Sequence, residues 1–250
     1  DAVTVVTSVL NLIAGVGIFL IACSMMSSNL ESLGNRRLKA LFAKTSKSKL
    51  AGDGVGAATT ALIQSSSATT VMVIGFVNAG IMTLTQAATV IFGANIGTTI
   101  TGQLVALGMF GGNSVSTSVI FASLSGVGAF ILVFAKKDKF RKAGGILAGF
   151  GMLFVGLSMM SGAMNYFSEL ESVKNFLASF RNPLLLVLVG ALLTAVVQSS
   201  SVMTSMTLTM VVSGLISLDQ GIYLTMGANI GTCVTALMAG LTSTRNAKRT

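Results

Sequence analysis

Apolar residues occur along this chain in long, nearly unbroken runs. The runs over residues 3–26, 84–109, 115–135, 143–164 and 218–241 are each long enough to cross about 30 Å of hydrocarbon as a helix. Hydrophobic residues make up 52% of the chain and charged residues only 9%, whereas charged residues are about a quarter of a typical soluble domain. The pattern predicts an all-α polytopic membrane protein.

Two other apolar segments, 54–80 and 183–215, are interrupted near their middle by polar residues. The interruptions are Gln64-Ser65-Ser66-Ser67 and Gln198-Ser199-Ser200-Ser201, and the apolar pieces on either side are too short to span a membrane alone. A helix can break at membrane depth only where protein or a water-filled cavity satisfies its backbone. Each segment is therefore either a broken span or a re-entrant helical hairpin, and the distribution of basic residues described below favours hairpins.

These interruptions belong to an internal duplication with a constant offset of 134 residues. A second motif, Gly93-Ala94-Asn95-Ile96-Gly97-Thr98, returns at residues 227–232, and each copy starts 29 residues after the glutamine of its unit. The first unit comprises residues 1–135 and the second 143–250. In this register residue 250 corresponds to residue 116, so we expect the second unit to be truncated or naturally shorter at its C-terminal end.

Basic residues decide the predicted topology. Of the sixteen lysines and arginines, fourteen lie in the segments 36–49, 136–142 and 245–249, which we name the basic segments. Short loops rich in lysine and arginine stay on the cytoplasmic side of a membrane. All three basic segments share that side only if the interrupted segments are hairpins, and the two units then have inverted topology. The predicted location is the plasma (inner) membrane, and residues 29–49 are expected to form an amphipathic interfacial helix.

The polar residues at the two interruptions suit the binding of small ions. The helix that restarts after each serine run points its N-terminal amides at the break, which favours an anion. Hydroxyl, amide and carbonyl oxygens also suit sodium. The chain has no histidine and no acidic residue deep in a predicted span, so a catalytic triad, a transition-metal site and a carboxylate proton relay are not expected. The clustering of the basic residues beside apolar runs argues against a nucleic-acid partner.

A purely structural role is the alternative for each motif, because small polar residues also hold helices together in bilayers. We favour helix packing for the glycines of the second motif, which have the small-xxx-small spacing of close helix contacts. For the serine runs we favour an ion site, because the glutamine and the spacing are both duplicated. Asn95 and Asn229 need a partner at membrane depth, and we expect them either to coordinate an ion or to support the hairpin tips.

The doubled pair of motifs, Gln-Ser-Ser-Ser and Gly-Ala-Asn-Ile-Gly-Thr, resembles the type II sodium-dependent phosphate cotransporters, including their bacterial branch. The resemblance implies sodium-coupled import of inorganic phosphate by alternating access, with no enzymatic activity and no organic cofactor. The implied phosphate-binding residues are Gln64, Ser65, Ser66, Ser67, Gln198, Ser199, Ser200 and Ser201. The implied sodium-binding residues are Ser66, Thr69, Thr70, Asn95, Thr98, Ser200, Thr204, Asn229 and Thr232. Expected partners are phosphate, sodium ions and the lipid bilayer, with a homodimer as one oligomeric option.

The chain departs from the family pattern at two points. Val119 and Ser123 stand where family members often carry a histidine and an asparagine, and no residue matches the acid that accompanies an additional sodium ion in electrogenic members. The sodium stoichiometry therefore stays open. The alternative functions are a similar transporter for another oxyanion or a dicarboxylate, and an anion channel. An intramembrane serine hydrolase is disfavoured, because no histidine occurs and no lysine lies within a predicted span.

Overall fold

The computed structural model describes residues 2–43, 48–109, 117–241 and 243–250, and these residues form eleven helices and no strand. In chain order the helices are α1 (Ala2–Ala43), α2 (Lys49–Ile63), α3 (Ser66–Asn78), α4 (Leu84–Met109), α5 (Thr117–Phe134), α6 (Asp138–Glu169), α7 (Glu171–Ala178), α8 (Pro183–Val197), α9 (Ser200–Val212), α10 (Leu218–Gly240) and α11 (Arg245–Arg249). Four stretches are long and apolar enough to cross a membrane, namely Ala2–Leu30 of α1, α4, α6 and α10. The described chain is thus all-helical and polytopic, as the hydrophobic pattern predicts.

Both interrupted segments are broken where the sequence predicts. Helices α2 and α3 are separated at Gln64 and Ser65, and helices α8 and α9 at Gln198 and Ser199. We name α2–α3 the first broken pair and α8–α9 the second broken pair. Each member has 13 or 15 residues, too few to cross about 30 Å of hydrocarbon at about 1.5 Å per residue.

The predicted interfacial helix over residues 29–49 is not a separate element. Helix α1 continues without a break through residues 29–43, the first part of that predicted segment, and ends at Ala43. The sequence beyond Met26 contains no proline, and the helix continues through Gly34 and Asn35, although these residue types often end a helix. One long helix therefore joins the first candidate span to the first basic segment.

Helix α6 is likewise longer than the predicted span over residues 143–164. It begins at Asp138 and ends at Glu169. The carboxylate of Asp138 is stabilised by the positive end of the helix dipole and forms an ion pair with Lys142 at 2.6 Å. Most of the basic segment 136–142 is therefore the first turn of a helix.

Some predictions fall outside the described residues. These are the turn at residues 111–114, the first two residues of the predicted span 115–135, and residues 44–47 of the basic segment 36–49. Within the described residues that span begins as α5 at Thr117, and its apolar part is shorter than the four candidate spans.

Helices α1 and α6, which correspond in the duplication, pack directly against each other. Gly15 lies against Gly156, whereas Asn29 lies against Gly145, so the two helices run antiparallel. In the duplication Gly15 corresponds to Gly149, and Gly156 corresponds to Ala22. The contact of Gly15 with Gly156 therefore has a symmetric counterpart between Gly149 and Ala22, and the structure contains both contacts. The two corresponding helices thus contribute the same surfaces to their contact.

Each helix that carries the second motif packs closely on the first helix of the broken pair in its own unit. A Cβ atom added at Gly93 would overlap the carbonyl oxygen of Asp53, and one added at Gly227 would overlap that of Val187. The same overlap with a backbone carbonyl occurs at Gly97 in α4 and at its counterpart in α10. These glycines therefore have the packing role that we favour from their spacing.

The broken pairs also reach across to the opposite unit. Helix α3 packs against α10, and α9 packs against α4. The methyl group of Thr204 in α9 lies beside Gly102 in α4. Each broken pair is thereby placed next to the helix of the other unit that carries the second motif; we name α4 and α10 the motif helices.

The outer surface carries many large apolar side chains. Phe92 and Ile96 on α4 are 66% and 60% exposed, and Phe130 and Phe134 on α5 are 68% and 73% exposed. Exposure of this extent over several helices is unusual for a soluble monomer and is expected where lipid tails replace water.

Candidate functional site

The first break is built around Gln64 in a left-handed backbone conformation. Gln64 has φ 59° and ends α2, and its N–H donates to the carbonyl oxygen of Thr60 at 2.7 Å. Ser65 then caps α3, because its Oγ accepts a hydrogen bond from the N–H of Ala68 at 3.1 Å. Helix α2 thus ends and α3 begins within two residues, while the polar groups at the junction stay largely hydrogen-bonded.

The second break repeats this backbone geometry. Gln198 also has φ 59°, its N–H donates to the carbonyl oxygen of Thr194 at 2.7 Å, and Ser199 Oγ accepts from the N–H of Val202 at 3.3 Å. Among the described residues, Gln64 and Gln198 are the two non-glycine residues with positive φ. A glycine is the usual residue at this position after a helix, so the two glutamines stand there despite a steric cost.

Each glutamine side chain is held by a threonine of the motif helix. Thr101 Oγ1 donates to Gln64 Oε1 at 2.7 Å, and Thr235 Oγ1 donates to Gln198 Oε1 at 2.7 Å. Both amide Nε2 groups donate to a carbonyl oxygen of their own preceding helix. We did not predict Thr101 and Thr235 as site residues, although each lies 37 residues after its glutamine in both units.

The two broken pairs differ in one internal hydrogen bond. In the first pair Thr60 Oγ1 donates to Thr69 Oγ1 at 3.0 Å, and Thr69 Oγ1 donates to the carbonyl oxygen of Ser65 at 3.1 Å. In the second pair the position of Thr69 is occupied by Met203. The Oγ1 of Thr194, the counterpart of Thr60, is therefore buried without a hydrogen-bond partner.

A cavity of about 470 Å³ lies between the first broken pair, the two motif helices and α11. It brings together six of the predicted ion-binding residues, which are Ser66, Ser67, Thr70, Asn95, Asn229 and Thr232. Lys248 and Arg249 of α11 also line it. We name it the inter-unit cavity, because both units contribute to its wall.

The inter-unit cavity has the chemistry of an anion site. Ser66 and Ser67 are the first residues of α3, so their backbone N–H groups have no acceptor within that helix. The hydroxyl groups of these serines, the amides of Asn95 and Asn229, and the two basic side chains add further donors. No acidic residue lines the described wall of the cavity.

Asn95 and Asn229 occupy equivalent positions and face the same cavity. Neither side chain hydrogen-bonds within the part of the chain that the structure describes, and both are exposed. The structure thus places them at the cavity rather than inside a helix contact. Their side chains are free to bind a ligand or water.

The other predicted residues lie elsewhere. Thr69 is buried inside the first broken pair, Gln64 and Ser65 form the break itself, and Thr98 bonds to its own helix through the carbonyl oxygen of Ala94 at 3.1 Å. In the second broken pair the residues outside the inter-unit cavity are Gln198, Ser199, Ser200, Ser201 and Thr204. The second serine run therefore does not line the inter-unit cavity.

Comparison with known proteins gives a consistent picture. The Na+/Pi-cotransporter family matches residues 18–162 and 166–248. The uncharacterized protein YqeW of Bacillus subtilis (strain 168) is 28% identical over 233 residues, which cover 93% of this chain and 73% of that protein. The "Putative inorganic phosphate export protein YjbB" of Escherichia coli (strain K12) is 24% identical over 243 residues, which cover 97% of this chain and 43% of that protein.

A local match is stronger in identity. The human "Sodium-dependent phosphate transport protein 2B" is 48% identical over 65 residues, covering 26% of this chain and 9% of that protein. No solved structure matches the chain. Because the family match covers most of the sequence, the chain belongs to the Na+/Pi-cotransporter family.

Proposed function

We propose that the protein is a secondary active transporter that couples sodium to the movement of inorganic phosphate across the plasma (inner) membrane by alternating access. The observation that carries this proposal is the inter-unit cavity, where free helix amides, hydroxyl groups and two side-chain amides meet without a carboxylate. Such donors stabilise a compact oxyanion. Family membership supports phosphate as that oxyanion.

Sodium is assigned to oxygen atoms near the two breaks. Gln64 and Gln198 each present a side-chain oxygen that a threonine hydroxyl already fixes in place. Sodium bound among such oxygens would offset the charge of phosphate, so that the fully loaded site crosses the low-dielectric barrier at a lower cost than phosphate alone. The predicted ligands Thr70, Thr204 and Thr232 remain candidates for this role.

The proposed architecture is a pair of inverted-topology repeats with one re-entrant hairpin each, formed by the broken pairs. The antiparallel packing of α1 on α6 supports it, because corresponding helices of inverted repeats run in opposite directions. The three basic segments would lie in the cytoplasm by the positive-inside rule. Transporters of this kind place their sites between the repeats, where the inter-unit cavity lies.

The direction of transport is part of the proposal. We propose import, as the sodium gradient of a growing cell drives symport inward. Export is the competing direction, and the name of the E. coli relative favours it. The chain spans less than half of that relative, so the activity of the whole relative transfers to this chain only as a proposal.

Flux of labelled phosphate in proteoliposomes tests the proposal. We expect uptake that requires an inward sodium gradient, is not supported by potassium or proton gradients, and resists competition by sulfate and succinate. A double change of Ser66 and Ser67 to alanine should reduce uptake at low phosphate at least about tenfold, since it removes two donors from the anion site. The control is Ser168→Ala, whose exposed hydroxyl bonds only to its own helix at the carbonyl oxygen of Asn165.

Phosphate flux without sodium dependence would contradict the coupling, and competition by sulfate or succinate would contradict the substrate. Equal uptake by the serine double variant and the Ser168→Ala control would contradict the assigned site. For the direction, expression in cells that lack their own phosphate uptake should restore growth on low phosphate. A fall in intracellular phosphate on expression would establish export instead.

A further inference from the structure

A second cavity lies beside α7, away from the residues that the resemblance singles out. It has a volume of about 630 Å³ and lies between α7, the start of α8 and the turn that joins α9 to α10. Its polar wall residues are Lys174, Arg181, Ser217, Asp219, Gln220 and Tyr223. We name it the α7 cavity.

The basic residues of this cavity are exceptional in the sequence. Fourteen of the sixteen lysines and arginines lie in the three basic segments, and the remaining two are Lys174 and Arg181. Both line the α7 cavity. In the proposed topology this cavity is on the face opposite to the basic segments, where the positive-inside rule gives no reason for basic residues.

Neither basic side chain is neutralised in the described structure. Within the residues that the structure describes, neither Lys174 nor Arg181 forms an ion pair, although Asp219 lines the same cavity. Asp219 is in the first turn of α10, where the helix dipole stabilises its charge without a cation. The two cations are thus available to an anionic group that enters the cavity.

The walls of the cavity are fixed by Gln220. Its Nε2 donates to the carbonyl oxygens of Leu177 at 2.8 Å and Phe180 at 3.0 Å, which joins the end of α7 to the start of α10. Its Oε1 accepts from the N–H of Ser217 at 2.9 Å in a capping box. The cavity is therefore formed by rigidly connected elements rather than by a loose loop.

The surroundings resemble a membrane interface. Helix α7 carries polar residues and an exposed Phe176, and it meets α8 at an angle of 111°. The first turns of α8 expose Leu184, Leu185 and Leu188, with Leu184 80% exposed. A short amphipathic helix that turns sharply into an apolar helix is expected where headgroups meet hydrocarbon.

From these observations we propose that the α7 cavity binds a phosphate group, with Lys174 and Arg181 as its cationic ligands. An arginine and a lysine together suit a phosphate, the arginine by paired hydrogen bonds and the lysine as a point charge. The phosphate group belongs either to the headgroup of an anionic phospholipid or to free inorganic phosphate. This site is independent of which substrate the inter-unit cavity carries.

The test compares two probes on the purified full chain in detergent at low salt. Native mass spectrometry measures retained phosphatidylglycerol against phosphatidylcholine, and equilibrium binding of labelled inorganic phosphate measures the free anion. We expect the double change Lys174→Gln with Arg181→Gln to weaken one of these two binding reactions at least about tenfold. Loss of one retained phosphatidylglycerol identifies a lipid site, and loss of one equivalent of inorganic phosphate identifies a free-anion site.

Two further variants keep the result specific. The double change Lys139→Gln with Arg141→Gln removes the same charges from exposed positions of the basic segment 136–142 and should retain the binding. The exchange Lys174→Arg with Arg181→Lys keeps both charges and should retain most of it, which separates loss of a ligand from misfolding. Unchanged binding of both probes in the Lys174→Gln, Arg181→Gln protein, or an equal loss in the Lys139→Gln, Arg141→Gln protein, would overturn the proposal.

Discussion

The two broken pairs have the same backbone and different surroundings. Gln64 and Gln198 share φ 59° and a threonine partner at 2.7 Å. Thr101, which holds Gln64, is only 3% exposed, whereas Gln198 is exposed and its partner Thr235 is half-buried. The duplication has thus kept the shape of the break, while the environment of each glutamine has diverged.

A second difference concerns the contacts within each pair. The first pair is closed by the hydrogen bond from Thr60 to Thr69, and the second has Met203 and an unpartnered Thr194 hydroxyl instead. The first pair also lines the inter-unit cavity with two serines, and the serines of the second pair do not. The comparison indicates that equivalent sequence motifs need not have equivalent roles, and four sets of substitutions can test how far the two pairs differ.

The largest expected effect is one that the two pairs should share. Gly93→Ala and Gly227→Ala each place a methyl group against a backbone carbonyl that cannot rotate away, and each should cost about 3 kcal/mol of stability. The thermal unfolding temperature of the protein in detergent measures the loss. Gly75→Ala is the control, because nothing lies within 4 Å of its added Cβ, and it should be neutral or stabilising. Clearly unequal losses of stability at Gly93 and Gly227 would show that the two units differ in how the helix with the second motif packs on its broken pair.

Removal of the glutamine side chains should separate the two pairs in transport. Gln64→Ala leaves the buried hydroxyl of Thr101 without its partner, and we expect phosphate uptake to fall at least about tenfold. Gln198→Ala should impair uptake less, because the half-buried Thr235 can bond to water. Initial rates of labelled phosphate uptake at several sodium concentrations provide the measurement. Unchanged sodium-dependent uptake in both variants would remove the glutamines from the mechanism.

The stability of the protein should respond differently to removal of the hydroxyl groups of the two threonines that precede the breaks. Thr60→Val removes the donor to Thr69 and should lower stability by about 1 kcal/mol. Thr194→Val replaces a buried hydroxyl that has no partner and should leave stability unchanged or raise it by about 1 kcal/mol. Unfolding temperatures compared at one scan rate test this, and equal destabilisation by both changes would contradict it.

The smallest effect concerns Met203. Met203→Thr recreates the residue of the first pair, and its hydroxyl can accept a hydrogen bond from Thr194. We expect a favourable coupling of about 0.5–1 kcal/mol between Thr194 and the new threonine, although the loss of a buried methionine lowers stability by itself. A double-mutant cycle with Thr194→Val isolates the coupling. A coupling of zero would mean that the two side chains do not face each other as Thr60 and Thr69 do.

Much of this fold could be predicted from sequence, because its features are local. Apolar runs locate the candidate spans, and the polar interruptions locate the breaks to within a residue. The capping box of Ser217 and Gln220 is visible as a spacing of three residues and is present in the structure. The sequence did not indicate that α1 continues unbroken to Ala43, because Gly34 and Asn35 are residue types that often end a helix.

The candidate site was less predictable, because it depends on contacts between distant residues. The bond of Thr101 to Gln64 joins residues 37 positions apart on different helices, and only its repetition in the second unit could have indicated it. The difference between Thr69 and Met203 is readable in the aligned units. The loss of a hydrogen-bond partner for Thr194 is not readable in the sequence. Thr194 and Met203 lie on opposite sides of the break, and helical spacing does not predict contacts across a break.

The contact between α1 and α6 bears on how such a protein can move. Gly15, Gly149 and Gly156 carry no side chain, so the two backbones touch directly and no flexible layer separates them. Sliding or tilting at this contact would drive main-chain atoms into one another, and densely packed interiors resist such compression. The α1–α6 contact is therefore expected to be the stationary part of the molecule. Any movement that changes the side of the membrane to which the site opens would then occur in the broken pairs. Their two-residue junctions lack a continuous helical hydrogen-bond ladder.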